Sequence, residues 1–102
     1  MKIIANIVES MDDELHDAKH RIKSALCHKT EYPEISKREY EIAIQELSHA
    51  EKDHASAVEL ITAYKKTRGE APEFMQKMWD DEHKKYMEKY AHIKYLIDMY
   101  KS

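Results

Sequence analysis

The chain has 102 residues, 42% of them apolar and 36% charged, and a formal net charge of −3 from 17 basic and 20 acidic side chains. That length holds one domain with one core, and the share of apolar residues excludes general disorder. One glycine and two prolines leave few places to turn, which excludes glycine-rich phosphate loops and strand-rich folds, while the well-mixed charges nominate neither nucleic acid nor a membrane as partner.

The first expected helix runs from about Lys2 to His28. Ile4, Val8, Met11, Leu15, Ala18, Ile22 and Ala25 recur in alternating steps of four and three, the spacing of one narrow apolar seam. Glu9, Asp13, His16 and His20 fall on the opposite side, and Glu14 lies at the flank of the seam, roughly 70° from its centre. The opening Met1–Asn6 is too short an apolar stretch for a signal peptide, and Glu9, Asp12 and Asp13 follow it. The single Cys27 has no second thiol with which to form a disulfide or a thiolate metal cluster, and fits a reducing compartment.

Lys29 to Ser36 is expected as a loop, because Pro33 disfavours helix at the residue before it. Ser36-Lys37-Arg38-Glu39 then has the pattern of a capping box, predicting a second helix over about 37–67 that stops at Gly69. Lys65, Lys66 and Arg68 would complement its C-terminal dipole. One stripe of this helix holds Tyr40, Ala43, Ile44, Leu47, His54, Val58 and Ile61. An adjacent arc holds Ala50, Ala57, Leu60 and Tyr64, with Glu46, His49 and Asp53 among them. An apolar arc so wide predicts a helix touched on several sides, either by another subunit or around a polar pocket.

Pro72 and Glu73 open the third helix, expected over 73–101, with Met75, Trp79, Tyr86, Tyr90, Ile93, Ile97 and Tyr100 on one stripe. Lys84, Lys85, Lys89 and Lys94 lie among its tyrosines, but Glu82, Glu88 and Asp98 interrupt them, which weighs against a nucleic-acid surface. No stretch approaches the roughly 18 apolar residues that would span a membrane. The expectation is therefore a single helical domain over 1–102, an all-α, up-down-up antiparallel three-helix bundle located in the cytoplasm.

Five of the seven histidines have an acid three residues earlier: Asp13/His16, Asp17/His20, Glu46/His49, Glu51/His54 and Asp80/His83. That spacing puts both groups on one helical face, where they can hydrogen-bond or share a metal. The two pairs of the first helix face away from its seam and read as solvated surface pairs. His54 sits in an apolar stripe, so Glu51/His54 reads either as a satisfied core pair or as functional. Glu46/His49, flanked by the small Ala43, Ala50 and Ala57, is the strongest candidate, because carboxylate and imidazole together suit divalent iron or manganese.

Ile44-Gln45-Glu46-Leu47-Ser48-His49-Ala50-Glu51-Lys52 resembles the second helix of the bacterioferritins and rubrerythrins of the ferritin-like superfamily, where an E-x-x-H pair ligates a di-iron site. Glu14 precedes Glu46 by 32 residues, close to the spacing between the first-helix ligand and that pair, and Asp80-Asp81-Glu82-His83-Lys84-Lys85-Tyr86 is similar to the family's last-helix motif. The resemblance implies iron or manganese, as a di-iron pair or a single ion, with Glu14, Glu46, His49, Asp80 or Glu82, and His83 as ligands. Ferroxidase or oxygen- or peroxide-linked chemistry is the implied activity. The sequence departs from the family in having three helices rather than four and Asp80 in place of a glutamate, so the ligand set would be completed in a homo-oligomer.

The competing reading is a metal-free helical structural or protein-interaction module, as a viral or mobile-element protein would use, with the polar pairs setting helix register. Tyrosines and Trp79 at helical spacing read as packing rather than as an electron path. Cys27 and His28 are neighbours that point about 100° apart on a helix, so no nucleophile motif can be assembled from them.

Overall fold

The computed structural model describes residues 4–102, a helical bundle of three helices with no strand among the described residues. These are α1 (Ile4–His28), α2 (Pro33–Arg68) and α3 (Glu73–Lys101). Lys2 and Ile3, where the first helix was expected to start, lie outside the described residues.

All seven seam residues of α1 are buried, joined by Ile7. Helix α1 closes on His28, whose Nδ1 lies 2.9 Å from the Ser24 carbonyl oxygen, one of the acceptors a helix end leaves open. The turn to α2 is shorter than expected. Pro33 starts the helix, since its fixed φ suits a first-turn position and its missing N–H would be unused there. Ser36 is therefore no cap. It lies inside the first turn, buried, with its hydroxyl donating to the Ala25 carbonyl of α1.

Helix α2 ends where expected. Gly69 adopts φ 84°, a left-handed conformation, and its N–H donates to the Lys65 carbonyl at 2.9 Å. Pro72 stands just before α3 rather than inside it.

Helices α1 and α2 make the closest pairing. Ala18, Ala25, Ala43, Ala50 and Ala57 are fully buried, and their small side chains let two helices approach along a shared seam. Contacts along the pair move in opposite directions: Ala25 with Ser36, Arg21 with Glu39, and Glu14 with His49. Arg21 Nη1 donates to both Glu39 carboxylate oxygens, at 3.1 and 3.0 Å.

Helix α3 meets α2 through long side chains: Tyr40 stacks on Tyr100 with centroids 4.4 Å apart, Tyr90 Oη donates to Glu51 Oε1 at 3.4 Å, and His54 meets His83. It meets α1 through Lys89 and Asp12, 3.8 Å apart, and Lys29, just past the end of α1, donates to the Tyr100 and Ser102 carbonyls. Met11, Leu15, Ile22, Ile93 and Ile97 form the driest part of the core, each contributing about 1.5–3 kcal/mol by burial. The molecule measures 56 × 23 × 17 Å.

The buried face of α2 is turned from the expected stripe. Ala43, Leu47, Ala50, Ala57 and Ile61 are buried, and Tyr40, Leu60 and Tyr64 pack partly against them. Ile44 and Val58 are exposed instead, at 38% and 41%. The alanines win the interface because close approach to α1 favours side chains that barely protrude.

Candidate functional site

Glu14 projects from the flank of the α1 seam toward α2, where Glu46, His49 and Asp53 follow at steps of three and four on one face. The tight pairing of α1 and α2 brings these groups together. His49 Nδ1 stands 3.9 Å from Glu14 Oε2 and 3.8 Å from Glu46 Oε1. Glu14 and Glu46 are partly buried, whereas the His49 side chain is 55% exposed at the rim. Asp53, only 8% exposed, lies deepest.

Burial pushes the Glu14 carboxyl up to about 8, aided by its hydrogen bond with Asp53 and by the negative charges of Asp53 and Glu46. The Ser10 hydroxyl, which donates to Glu14 Oε1 at 3.5 Å, acts against that rise. Near neutral pH the Glu14–Asp53 couple therefore holds a proton. Carboxyls so close together need either a proton or a cation between them.

The donor types suit a divalent ion of the iron–manganese class, with oxygens from Glu14, Glu46 and Asp53 and a nitrogen from His49. The spacing is wider than that of adjacent ligands, since two neighbouring donors each about 2.1 Å from one ion stand roughly 3.0–3.4 Å apart. Among the described residues, no group of three or more His, Cys, Asp or Glu side chains stands ready to hold a metal ion. To serve as a ligand adjacent to Glu14 and Glu46, the exposed His49 would have to move inward.

The remaining sequence candidates have other partners. Asp80 is exposed and accepts from Gln76 Nε2 at 2.8 Å, beside an open groove at the α2–α3 turn lined by Lys65, Arg68, Glu73 and Gln76. Glu82 Oε1 is 3.5 Å from Lys85 Nζ. Among the described residues, its buried Oε2 has no hydrogen-bond partner. His83 joins His54, with Nδ1 and Nε2 3.0 Å apart.

His54 pairs across the helices and not with Glu51, which is taken up by Tyr90. Its ring stacks on Tyr86 at 4.3 Å and lies 5.3 Å from Trp79. Burial, followed by the neighbouring His83, holds the His54 imidazole below its ordinary value. Burial likewise pushes the Tyr86 hydroxyl up to about 12, with Tyr90 and Glu51 adding to it.

His16 and His20 remain at the exposed surface of α1, rings 4.5 Å apart, and Asp17 pairs with Arg21 at 3.6 Å. Asp53 was absent from the expected ligand set. Its seven-residue step from Glu46, two turns along the same face, is the signal that would have placed it there.

No family model matches the chain, and neither curated proteins nor solved structures give a match.

Proposed function

We propose that this chain binds a divalent metal ion of the iron–manganese class between α1 and α2, with Glu14, Glu46 and His49 as ligands and Asp53 as the buried partner of Glu14. One observation carries the reading: acids from two helices converge on one imidazole, and burial, reinforced by the neighbouring Asp53 and Glu46, keeps a proton on Glu14 up to about 8. A bound cation would take the place of that proton. The ion would supply Lewis acidity and, if iron, redox capacity, while the chain's own groups hold it and the half-buried position limits water.

The ferritin-like, up-down-up arrangement belongs to the same proposal. It is supported by the opposed order of contacts from α1 to α2 and from α2 to α3. A homo-oligomer is proposed with it: exposed Ile44 and Val58 on α2 would lie between two copies, and a second chain would add ligands that one chain lacks.

A specific observation favours the competing reading of a metal-free structural or interaction module. The 3.8 and 3.9 Å separations exceed the spacing of neighbouring ligands, and a shared proton already relieves the Glu14–Asp53 pair. The two readings separate on one experiment. Untagged protein prepared without chelator is assayed for metal, stripped, and titrated anaerobically with ferrous iron or manganese. Saturable binding lost in Glu46→Ala and His49→Ala supports the metal site. If the parent chain binds no metal, or those variants bind it equally well, the module reading stands.

A further inference from the structure

We infer that His54 and His83 form a second, independent site between α2 and α3 for a borderline-soft divalent ion of the copper–nickel–zinc group. The observation is the meeting of two imidazole nitrogens, His54 Nε2 and His83 Nδ1, 3.0 Å apart and contributed by different helices. Two donors placed at right angles around one ion at about 2.0–2.1 Å stand roughly 3.0 Å apart, so these nitrogens already have the spacing of neighbouring ligands. Without an ion the same spacing is a hydrogen bond in which one ring donates and the other accepts. Binding displaces that shared proton, which passes through solvent to the outer nitrogen of the ring that held it, so each neutral ring then carries its one proton on the nitrogen facing away.

Both rings are half-buried, so an ion can reach them from solvent while the protein fixes their orientation. Tyr86 stacks on His54, and Trp79 lies 5.3 and 5.4 Å from the His54 and His83 rings. Aromatic walls with no carboxylate in the pair select against hard, oxygen-seeking ions such as magnesium and calcium. Two protein nitrogens leave the other coordination positions to water, in the square plane that copper(II) prefers or the tetrahedron of zinc(II). Copper(II) binds most tightly in that series. Glu46 and His49 take no part, so this site stands or falls apart from the α1–α2 centre.

Trp79, the sole tryptophan, supplies the readout. Metal-stripped, untagged full chain is titrated with copper(II) near neutral pH while Trp79 emission is followed, and zinc(II) is then added as competitor. Saturable quenching that only a large excess of zinc reverses is expected. It should persist in His49→Ala and in His20→Gln, which removes one ring of the exposed His16/His20 pair, and vanish in His83→Gln. Quenching that survives His83→Gln, or is absent from the parent chain, overturns the site. If His49→Ala abolishes it, the ion sits at the α1–α2 centre and this proposal fails while the first stands. Should His83→Gln disturb the helices by circular dichroism, electron paramagnetic resonance of the copper-loaded His20→Gln chain decides. Coupling to two imidazole nitrogens supports the pair, and coupling to one or none excludes it.

Discussion

The buried hydroxyl of Ser36 donates to the backbone carbonyl of Ala25, joining the first turn of α2 to the last turns of α1. It is a serine in the interior whose only polar group is satisfied across the helix pair. Ser36→Ala removes the donor while the carbonyl keeps its place in α1. We expect a loss of about 0.5–1.5 kcal/mol in urea unfolding, with helicity unchanged. Ser36→Leu should cost more, because the 1% of its surface left open gives a larger side chain no room. A surface-like response, with both variants as stable as the parent, would contradict the placement of α2 from Pro33 onward.

Gly69 is the single residue with positive φ among those described. A Cβ added there would meet nothing within 4 Å, so the strain of substitution lies in the backbone alone. Gly69→Ala should therefore cost about 1 kcal/mol, and Gly69→Asn less, since Asn tolerates the left-handed region better. Thermal unfolding of the three proteins gives the ranking directly. Equal stability of all three would mean that α2 does not end in this conformation.

Ala50 is fully buried at the middle of the close α1–α2 pairing. Ala50→Leu adds three carbons where the helices have no gap, and should destabilise by about 1–3 kcal/mol through forced separation. The same change at exposed Ala55, on the other side of α2, should be nearly neutral, which controls for helix propensity. Chemical denaturation of the pair measures the difference.

What the sequence disclosed and what it concealed divide along a physical line. Steps of four and three placed the α1 seam, and Gly69 placed the end of α2, because periodicity and a left-handed stop are local properties. The start of α2 was less legible. Ser36 followed by Glu39 satisfies the pattern of a capping box, yet Pro33 offers an earlier start, and the Ala25 carbonyl supplies Ser36 with a better partner. Choosing between them depends on a helix 11 residues away. The rotated face of α2 has the same origin: Ile44 outranks Ala43 in hydrophobicity, but close packing against α1 prefers the alanine. At the candidate site, the nearness of Glu46 and His49 was legible from their three-residue spacing. The Glu14–Asp53 contact and the His54–His83 pair were not, since each joins two helices whose relative rotation no local pattern encodes.

His54 makes stability sensitive to acid. The unfolded imidazole takes up a proton near 6.5, whereas burial and His83 hold the folded one lower. Between those values the unfolded chain binds more protons, so stability is full above 6.5 and declines as pH falls through and below it. His54→Gln should flatten this decline, seen as a weaker fall in unfolding midpoint from neutral to mildly acidic buffer. An unchanged slope would contradict the lowered His54 value.

Glu14 acts in the opposite direction. The folded carboxyl keeps its proton up to about 8, while the unfolded one releases it near 4.5. Between these values the folded state binds more protons, so the protonated pair is fully stable below 4.5 and loses stability as pH rises toward 8. Glu14→Gln keeps the shape and hydrogen-bonding capacity without the charge, and should remove that loss, making the variant more stable than the parent at pH above 8. The same proton is what a divalent ion would displace at the α1–α2 centre. On that reading the parent should bind metal more tightly as pH rises through the window, and saturating metal should restore the stability lost there. Glu14→Gln should be stable yet respond to neither. If added metal leaves the alkaline unfolding midpoint of the parent unmoved, the carboxyls of Glu14 and Asp53 are a proton-sharing core pair and not half of a metal centre.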